Sequence, residues 1–360
     1  MTDHAANAVC DLFGIEVPVV QAPMLGFVTP AMVVAVAEAG GLGSLSLAAS
    51  GPEEARTTFA VIRRGTSRPV NVNFLCHQPA EMNSSREAAW MAHLKPYYAE
   101  LGLDCHEQRM GPAIPAFGDA QCGLVEELGP EVVSFHFGLP APDLLERVRR
   151  TGAKVISSAT TVEEAIWLEE AGCDAIIAQG VEAGGHRGMF LHGDVDTQVG
   201  TMALVPQVVD AVKVPVIAAG GIADPRSVAA AFALGASAVQ AGSAYLLCDE
   251  ANVSPLYRKA LQSVRDHQTA ITRIFTGRPA RVIANRIVRE LGPIENDAPC
   301  FPLAAAPLAP LRAASEALGS AEFMSLWCGQ AASLAREGPA AKLTQWLASG
   351  CTCNAALDTA

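Results

Sequence analysis

The chain has 360 residues, of which 50% are hydrophobic and 17% charged, as is typical of a soluble globular protein with a large core. Its formal charge of −12 and the lack of any lysine or arginine block argue against nucleic acid as a partner. No uninterrupted apolar run of about 18 residues is present, so the sequence predicts no membrane span. The length suits one α/β barrel of about 250 residues with an appended part better than several small domains.

Ten cysteines are scattered along the chain, without the spacing of a disulfide framework or a zinc site. The first residues, MTDHAANAVC, lack the basic-then-apolar pattern of a signal peptide. We therefore expect reduced thiols in a cytoplasmic protein.

Eight short apolar runs of β-forming residues recur along the chain. In chain order they are 17–23, 41–48, 69–76, 131–138, 153–160, 174–181, 214–221 and 237–247. Segments with helical spacing separate them, for example 29–40, 161–172 and 224–235, each beginning at a Thr or Asp that can cap a helix and ending at Gly. Strands that alternate with helices and are apolar on both faces predict a parallel sheet, and eight such units predict a closed (β/α)8 TIM barrel.

A doubly wound open sheet is the alternative fold, but the stretch 41–46 lacks the third glycine of the dinucleotide-binding fingerprint. We predict that residues 1–250 form the barrel, with a helical insertion near 77–130. Residues 251–360 contain alanine-rich helical patterns and a proline-rich bridge at 299–310. They predict a smaller, mainly helical part that packs over the barrel mouth.

The active site of such a barrel lies at the C-terminal ends of its strands, and this rule sorts the candidate residues. Lys154 and Lys213 precede their strands, and the other lysines lie in helical patterns, so no lysine is placed for Schiff-base chemistry. His136, His186 and His192 can approach the mouth of the barrel. No closely spaced set of ligands accompanies them, so we expect no catalytic metal.

Two glycine turns follow the seventh and eighth predicted strands, where barrels commonly bind phosphate. They are formed by Gly220 with Gly221 and by Gly242 with Ser243. Such turns let backbone N–H groups approach an anion, although either one alone would indicate no more than a tight turn. Their occurrence on consecutive strands predicts a phosphate group.

Amide and thioether side chains lie at the ends of other predicted strands. Asn73 belongs to the third strand and Gln179 to the sixth, and an amide both donates and accepts hydrogen bonds, which suits the edge of a heterocycle. Met24 offers a polarisable surface to the face of a ring. With the phosphate site, these residues indicate a mononucleotide with a conjugated ring, for which FMN is the usual candidate.

Ordered motifs along the chain resemble those of the nitronate monooxygenases, formerly called 2-nitropropane dioxygenases. They are QAPM (21–24), VNF (72–74), VSFHFGLP (133–140), QGVEAGGHRG (179–188), AAGGI (218–222), AGSAYLLC (241–248) and TGRPAR (276–281). The resemblance implies an FMN enzyme that oxidises alkyl nitronates, among them propionate 3-nitronate, or nitroalkanes with O2 to a carbonyl compound and nitrite. In addition to Gly220 of the first glycine turn, it places FMN contacts at Ala22, Pro23, Met24, Asn73, Gln179, Gly184, Gly221, Gln240, Ala241, Gly242 and Ser243, and the active-site histidine at His186.

His186 follows a glycine pair just beyond the sixth predicted strand, so its imidazole can approach a cofactor closely. It would remove the α-proton of a neutral nitroalkane, or only bind and orient a preformed nitronate, and both roles stay open. His136, inside the fourth strand, is either a substrate contact or a satisfied core histidine. Arg187 either supplies charge for a phosphate or substrate or forms a surface pair, whereas a structural hydrogen bond or salt bridge is favoured for Glu182.

Two other functions fit parts of this pattern. An FMN-dependent enoyl-acyl-carrier-protein reductase using NAD(P)H resembles the same barrel and has a similar glycine–histidine loop. A non-catalytic flavin-binding protein is the third candidate, although His186 together with the complete cofactor motifs argues against it. As partners we expect a small nitronate and O2, no nucleic acid and no membrane, with a homodimer as one candidate assembly.

Overall fold

The computed structural model describes residues 2–105 and 114–351, with side chains described from residue 8 onward. Residues 106–113 of the predicted insertion and 352–360 of the predicted C-terminal part lie outside the described residues. The strands are β1 (Val19–Gln21), β2 (Gly43–Ser46), β3 (Val70–Leu75), β4 (Val132–His136), β5 (Lys154–Ala159), β6 (Ala175–Gln179), β7 (Gly185–His186), β8 (Val216–Ala219), β9 (Ala238–Ala241), β10 (Thr269–Thr272) and β11 (Ala280–Ile283).

Eight parallel strands form a barrel in the order β1, β9, β8, β6, β5, β4, β3, β2. A parallel bridge between Val20 and Leu42 joins β1 to β2 and closes it. Each of these strands lies within one of the eight predicted runs, so the predicted TIM barrel is confirmed. The last run is shorter than predicted, because β9 ends before Gly242 and residues Ser243–Leu247 form a 3-10 helix.

Helices surround the barrel and extend beyond it. They are α1 (Thr2–Phe13), α2 (Pro30–Glu38), α3 (Pro52–Gly65), α4 (Ser84–Glu100), α5 (Asp119–Leu128), α6 (Pro142–Arg150), α7 (Val162–Glu170), α8 (Thr201–Ala211), α9 (Pro225–Ala233), α10 (Pro255–Ser263), α11 (Arg286–Leu291), α12 (Ala309–Ala317) and α13 (Ala340–Ala348). Side-chain oxygens of Thr29, Thr161 and Asp224 cap α2, α7 and α9, as the sequence predicts. Within the described part of the chain, no helix combines the length and apolar character needed to cross a membrane.

The barrel interior is apolar at one end and polar at the other. At the N-terminal ends of the strands, Val9 and Phe13 of α1 share a buried apolar cluster with Ile217. Toward the C-terminal ends of the strands, the Asn73 amide donates to the Ser134 hydroxyl (3.0 Å) and accepts from the Ser46 hydroxyl (3.3 Å). Polar groups therefore meet inside the barrel on the side where its strands end, which is where a barrel places its active site.

The chain after β9 packs in two different places. Helix α13 lies against α2, α9 and β1, and Tyr245 shares a buried 2.8 Å hydrogen bond with Thr344. The segment between β9 and α13 includes β10 and β11, which form a small antiparallel sheet with β7 in the order β10, β11, β7. That segment shares a second apolar core with α4, in which Trp90 and Phe275 are both buried. The predicted division of the chain at residue 250 stays a prediction.

Candidate active site

A cavity of about 320 Å³ opens where the barrel strands end. Nearly all of the predicted site residues line it: Ala22, Pro23, Met24, Asn73, His136, Gln179, Gly184, His186, Gly220, Gly221, Gln240, Gly242 and Ser243. Ala241 does not line the cavity, because its side chain is buried in the barrel wall, and its carbonyl accepts a 2.8 Å hydrogen bond from the N–H of Ala22. His192 does not line the cavity: it lies on the surface, hydrogen-bonded to Glu163 in the first turn of α7.

One part of the cavity, which we call the glycine side, is formed by Gly220, Gly221, Gly242, Ser243 and Gly329. Gly220 and Gly221 have φ of +110° and +72°, values that residues with a Cβ rarely adopt. The glycine pair therefore allows a tight turn that exposes backbone directly to the cavity.

Hydrogen bonds hold this turn in place. The single hydroxyl hydrogen of Thr201 is shared between two acceptors, the Gly220 carbonyl at 2.9 Å and the Glu182 carboxylate at 2.8 Å. The same carboxylate accepts from the Thr201 N–H at the start of α8. The structural hydrogen bond predicted for Glu182 is therefore confirmed.

Gly329 reaches the glycine side from the far end of the chain. Its N–H donates to the Ser243 hydroxyl at 2.8 Å. Its backbone lies so close to Gly184 that a Cβ on Gly184 would be 2.5 Å from the Gly329 nitrogen. Gly329 is missed by sequence reasoning, because nothing in its neighbourhood marks a strand end.

Amide side chains in the cavity differ in whether the protein satisfies them. Gln179 donates to the His186 carbonyl (3.0 Å) and accepts from Gly188 N–H (2.7 Å). Asn73 donates to Ser134 and accepts weakly from Ser46. The buried Oε1 of Gln240 has no partner among the described residues. A buried acceptor without a donor is costly, so Gln240 fits a ligand that brings its own N–H group.

The second part of the cavity, the histidine side, is formed by His136, His186, Thr276, Phe301 and Trp327. His186 lies in β7, where it pairs with Ala280 of β11. Its Nε2 is 2.8 Å from the Thr276 hydroxyl, and its ring lies 5.4 Å from that of Phe301 and 5.1 Å from that of Trp327. Its Nδ1 has no protein partner among the described residues and is not a buried atom, so it is open to the cavity.

His136 supports the loop that carries His186. Its Nε2 is 3.2 Å from the His186 carbonyl, an acceptor, and its Nδ1 is 3.1 Å from the Ser158 hydroxyl. Nε2 therefore carries the proton and Nδ1 accepts, so protein atoms use both nitrogens. The assignment of His136 as a substrate contact stays a prediction, and such a contact would be made by the face of its ring.

Arg187 also stabilises this loop, from inside the protein. It is fully buried and donates to the carbonyls of Gln179 and Gly180, both at 2.7 Å, and to the Gln198 side chain at 3.0 Å. The surface-pair interpretation of Arg187 is therefore wrong. Its bonds go to the end of β6 rather than toward the cavity, which gives no support to a phosphate or substrate role.

A strained phenylalanine and a buried cation lie next to the two histidines. Phe137 has φ of +72°, an unfavourable value for a bulky residue. The Arg278 guanidinium lies 3.8 Å from the centroid of the Phe137 ring and donates to the Met189 carbonyl. The Phe137 ring lies 4.5 Å from His136 and 5.9 Å from His186, so this stack fixes where both imidazoles sit.

Burial dominates the electrostatics of the histidine side. The pKa of His186 is lowered to about 3, mainly by burial and to a smaller extent by His136 and Arg278. Burial first, then Arg278, lower the pKa of His136 to about 3 as well. Both imidazoles are therefore neutral at pH 7, and each has one nitrogen that donates and one that accepts.

A TIM barrel whose cavity joins the glycine side to the ring of His186 has the fold and the site of an enzyme that acts on a small molecule. A family model described as nitronate monooxygenase matches residues 6–350. The chain is 42% identical over 349 residues to a nitronate monooxygenase of Pseudomonas aeruginosa, covering 96% of this chain and 98% of that protein. The structure of nitroalkane oxidase from Streptomyces ansochromogenes is 37% identical, with a TM-score of 0.88 over 98% of this chain and 100% of that one.

FabK from Thermotoga maritima is more distant, at 30% identity and a TM-score of 0.73 over 96% of each chain. The chain belongs to the nitronate monooxygenase family, and it is a flavin-dependent oxidoreductase.

Proposed function

We propose that this enzyme uses FMN and O2 to oxidise alkyl nitronates, and nitroalkanes, to a carbonyl compound and nitrite. The observation that carries the proposal is the open Nδ1 of His186 in the same cavity as the glycine side. Family membership supports the same reaction. A cytoplasmic location and a homodimer stay predictions.

The glycine side fits the phosphate of FMN, since Gly220 and Gly221 expose backbone there and Ser243 adds a hydroxyl. The unpartnered Oε1 of Gln240 fits an N–H of the ring. The residues proposed to hold FMN are Ala22, Pro23, Met24, Asn73, Gln179, Gly184, Gly220, Gly221, Gln240, Ala241, Gly242 and Ser243, with Ala241 contributing through the wall behind the cavity. When bound, FMN supplies the electron-accepting chemistry and the reaction with O2.

His186 acts on the substrate. It is neutral at pH 7, because the pKa of its imidazole is lowered to about 3. A neutral ring offers one accepting nitrogen and one N–H, so it can take the α-proton of a nitroalkane or donate a hydrogen bond to an oxygen of a nitronate. The low pKa makes the imidazolium costly, and the nitronate anion formed beside it offsets that cost. Phe301 and Trp327 pack against the ring and keep water from part of its surface.

The purified protein tests this proposal directly. We expect a flavin absorption spectrum, FMN as the flavin released on denaturation, and O2 uptake with nitrite formation from ethyl nitronate without NAD(P)H. NADPH oxidation with a crotonyl thioester, in the absence of nitronate turnover, would instead favour the enoyl reductase. A colourless protein that takes up no FMN would contradict both enzyme functions.

A further inference from the structure

Thr276 makes the hydrogen bond that orients the His186 ring. Its hydroxyl lies 2.8 Å from Nε2, on the side of the ring away from the open Nδ1. It lines the cavity and precedes β11, the strand that pairs with His186. The backbone and the side chain of His186 are therefore held by the same segment of chain.

The Thr276 hydroxyl has a second partner for either direction of this bond. When it donates to Nε2, it can accept from the Arg278 N–H at 3.4 Å. When it accepts from Nε2–H, it can donate to the Arg278 carbonyl at 3.5 Å. Both secondary bonds are long, so neither orientation is locked.

The direction of the bond decides what His186 offers to the cavity. A neutral imidazole carries one proton, so Nδ1 is a donor when Nε2 accepts from Thr276, and an acceptor when Nε2 donates to it. A hydroxyl group rotates easily between these two arrangements. By contrast, the two partners of His136 fix its tautomer, because one of them is a carbonyl.

We propose that Thr276 is a positioning residue that lets His186 present Nδ1 as an acceptor to a neutral nitroalkane and as a donor to a nitronate anion. This inference rests on the proposed function and deepens it. It assigns both roles of His186, base and anion ligand, to one histidine with one rotating partner.

The proton transfer balances in this arrangement. The α-C–H bond of the nitroalkane breaks, its electron pair stays on the substrate as the nitronate, and the proton forms an N–H bond at Nδ1. The ring is then an imidazolium with a proton on both nitrogens, and the Thr276 hydroxyl continues to accept from Nε2–H, with its own hydrogen toward the Arg278 carbonyl, as it did before the transfer. The new nitronate lies beside the Nδ1–H that can bind it.

The substitution Thr276→Val, compared with Thr276→Ser, tests this role. In FMN-loaded protein we expect Thr276→Val to lower kcat/KM about 10-fold for nitroethane and about 10-fold for ethyl nitronate, the cost of one hydrogen bond. Thr276→Ser keeps the hydroxyl and should stay within about threefold of the wild type for both. The flavin spectrum of each variant checks that the cavity is intact, and Thr276→Ala replaces the valine variant if that one does not fold.

The outcomes separate this proposal from the proposed function. A loss confined to one substrate form, no loss in Thr276→Val, or an equal loss in Thr276→Ser overturns the dual role while leaving the proposed function in place. Wild-type protein inactive with both substrates overturns the proposed function, and this inference with it.

Discussion

The glycine side and the histidine side of the cavity are built in different ways. The glycine side presents backbone: turns with positive φ at Gly220 and Gly221, held by Thr201. The histidine side presents side chains, and His186 is positioned by partners from three other segments. Backbone turns need few residue identities, whereas the histidine side depends on every partner of one ring.

Adding a methyl group to each glycine of the Gly220–Gly221 turn tests how the glycine side is built. Both Gly220→Ala and Gly221→Ala place a Cβ at positive φ, which costs about 1–2 kcal/mol. At Gly220 the Cβ would also lie 2.8 Å from the Thr201 hydroxyl, whereas at Gly221 the nearest atom is at 3.7 Å. We therefore expect Gly220→Ala to lose about 1–3 kcal/mol more of the free energy of unfolding than Gly221→Ala.

Urea unfolding measures these losses. Gly152→Ala is the matched control, since Gly152 has φ of +87° and its Cβ would meet no atom within 4 Å. Equal losses at Gly220 and Gly221 would show that crowding by Thr201 does not shape the turn.

Lowering the pH should reduce the stability of the protein through the two histidines of the histidine side. Folding lowers the pKa of His186 and His136 to about 3, against about 6.5 in the unfolded chain, so between these values the unfolded chain binds more protons. Stability is therefore lost as pH falls below about 6.5, on the order of 1–2 kcal/mol for each histidine by pH 5. Urea unfolding of cofactor-free protein at pH 7 and pH 5 measures this loss.

The variant His186→Asn lacks one of the two histidines with a lowered pKa, so its free energy of unfolding should fall less than that of the wild type between pH 7 and pH 5. Its stability at pH 7 also changes, because the ring and its contacts are lost. The matched control is His192→Asn, because the pKa of the exposed His192 is raised by Glu163 rather than lowered. An acid loss that is the same in His186→Asn and the wild type would contradict a buried, neutral His186.

Gln240 gives the smallest expected effect. Replacing its unpartnered acceptor in Gln240→Leu should weaken FMN binding about 10-fold, while the free energy of unfolding of the cofactor-free protein stays the same or rises. Flavin fluorescence titration measures the first and urea unfolding the second. Gln207→Leu, at an exposed position of α8, is the control that should leave FMN affinity unchanged. Unaltered affinity in Gln240→Leu would remove this residue from the cofactor site.

The barrel could be predicted from the sequence because strands buried on both faces are apolar throughout, and the strand-end rule then located Gly220, Gly242 and His186. Thr276 and Gly329 could not be located in this way. They belong to a segment whose position depends on packing against α4 and on pairing with β7, and neither contact leaves a periodic pattern in the sequence.

The chemistry of a side chain does not predict its contacts where residues from other parts of the fold compete for it. The contact of Gln179 with a ring stays a prediction, and its amide also holds the His186 carbonyl and the Gly188 N–H, which its place at a strand end does not indicate. The charge of Arg187 favours the surface or the neighbourhood of an anion, yet the side chain is buried against the carbonyls at the end of β6. The sequence shows which groups are present but not which of them the fold satisfies.

Proton abstraction by His186 is tested by the O2 uptake of FMN-loaded His186→Ala with nitroethane and with ethyl nitronate, beside His192→Ala as the surface control. We predict a loss of about 10²–10⁴-fold in kcat/KM with nitroethane, which needs a base, and a loss of about 10-fold with ethyl nitronate, which needs only a hydrogen bond. His192→Ala should match the wild type with both. Equal losses with the two substrates, at full flavin content, would contradict proton abstraction by His186.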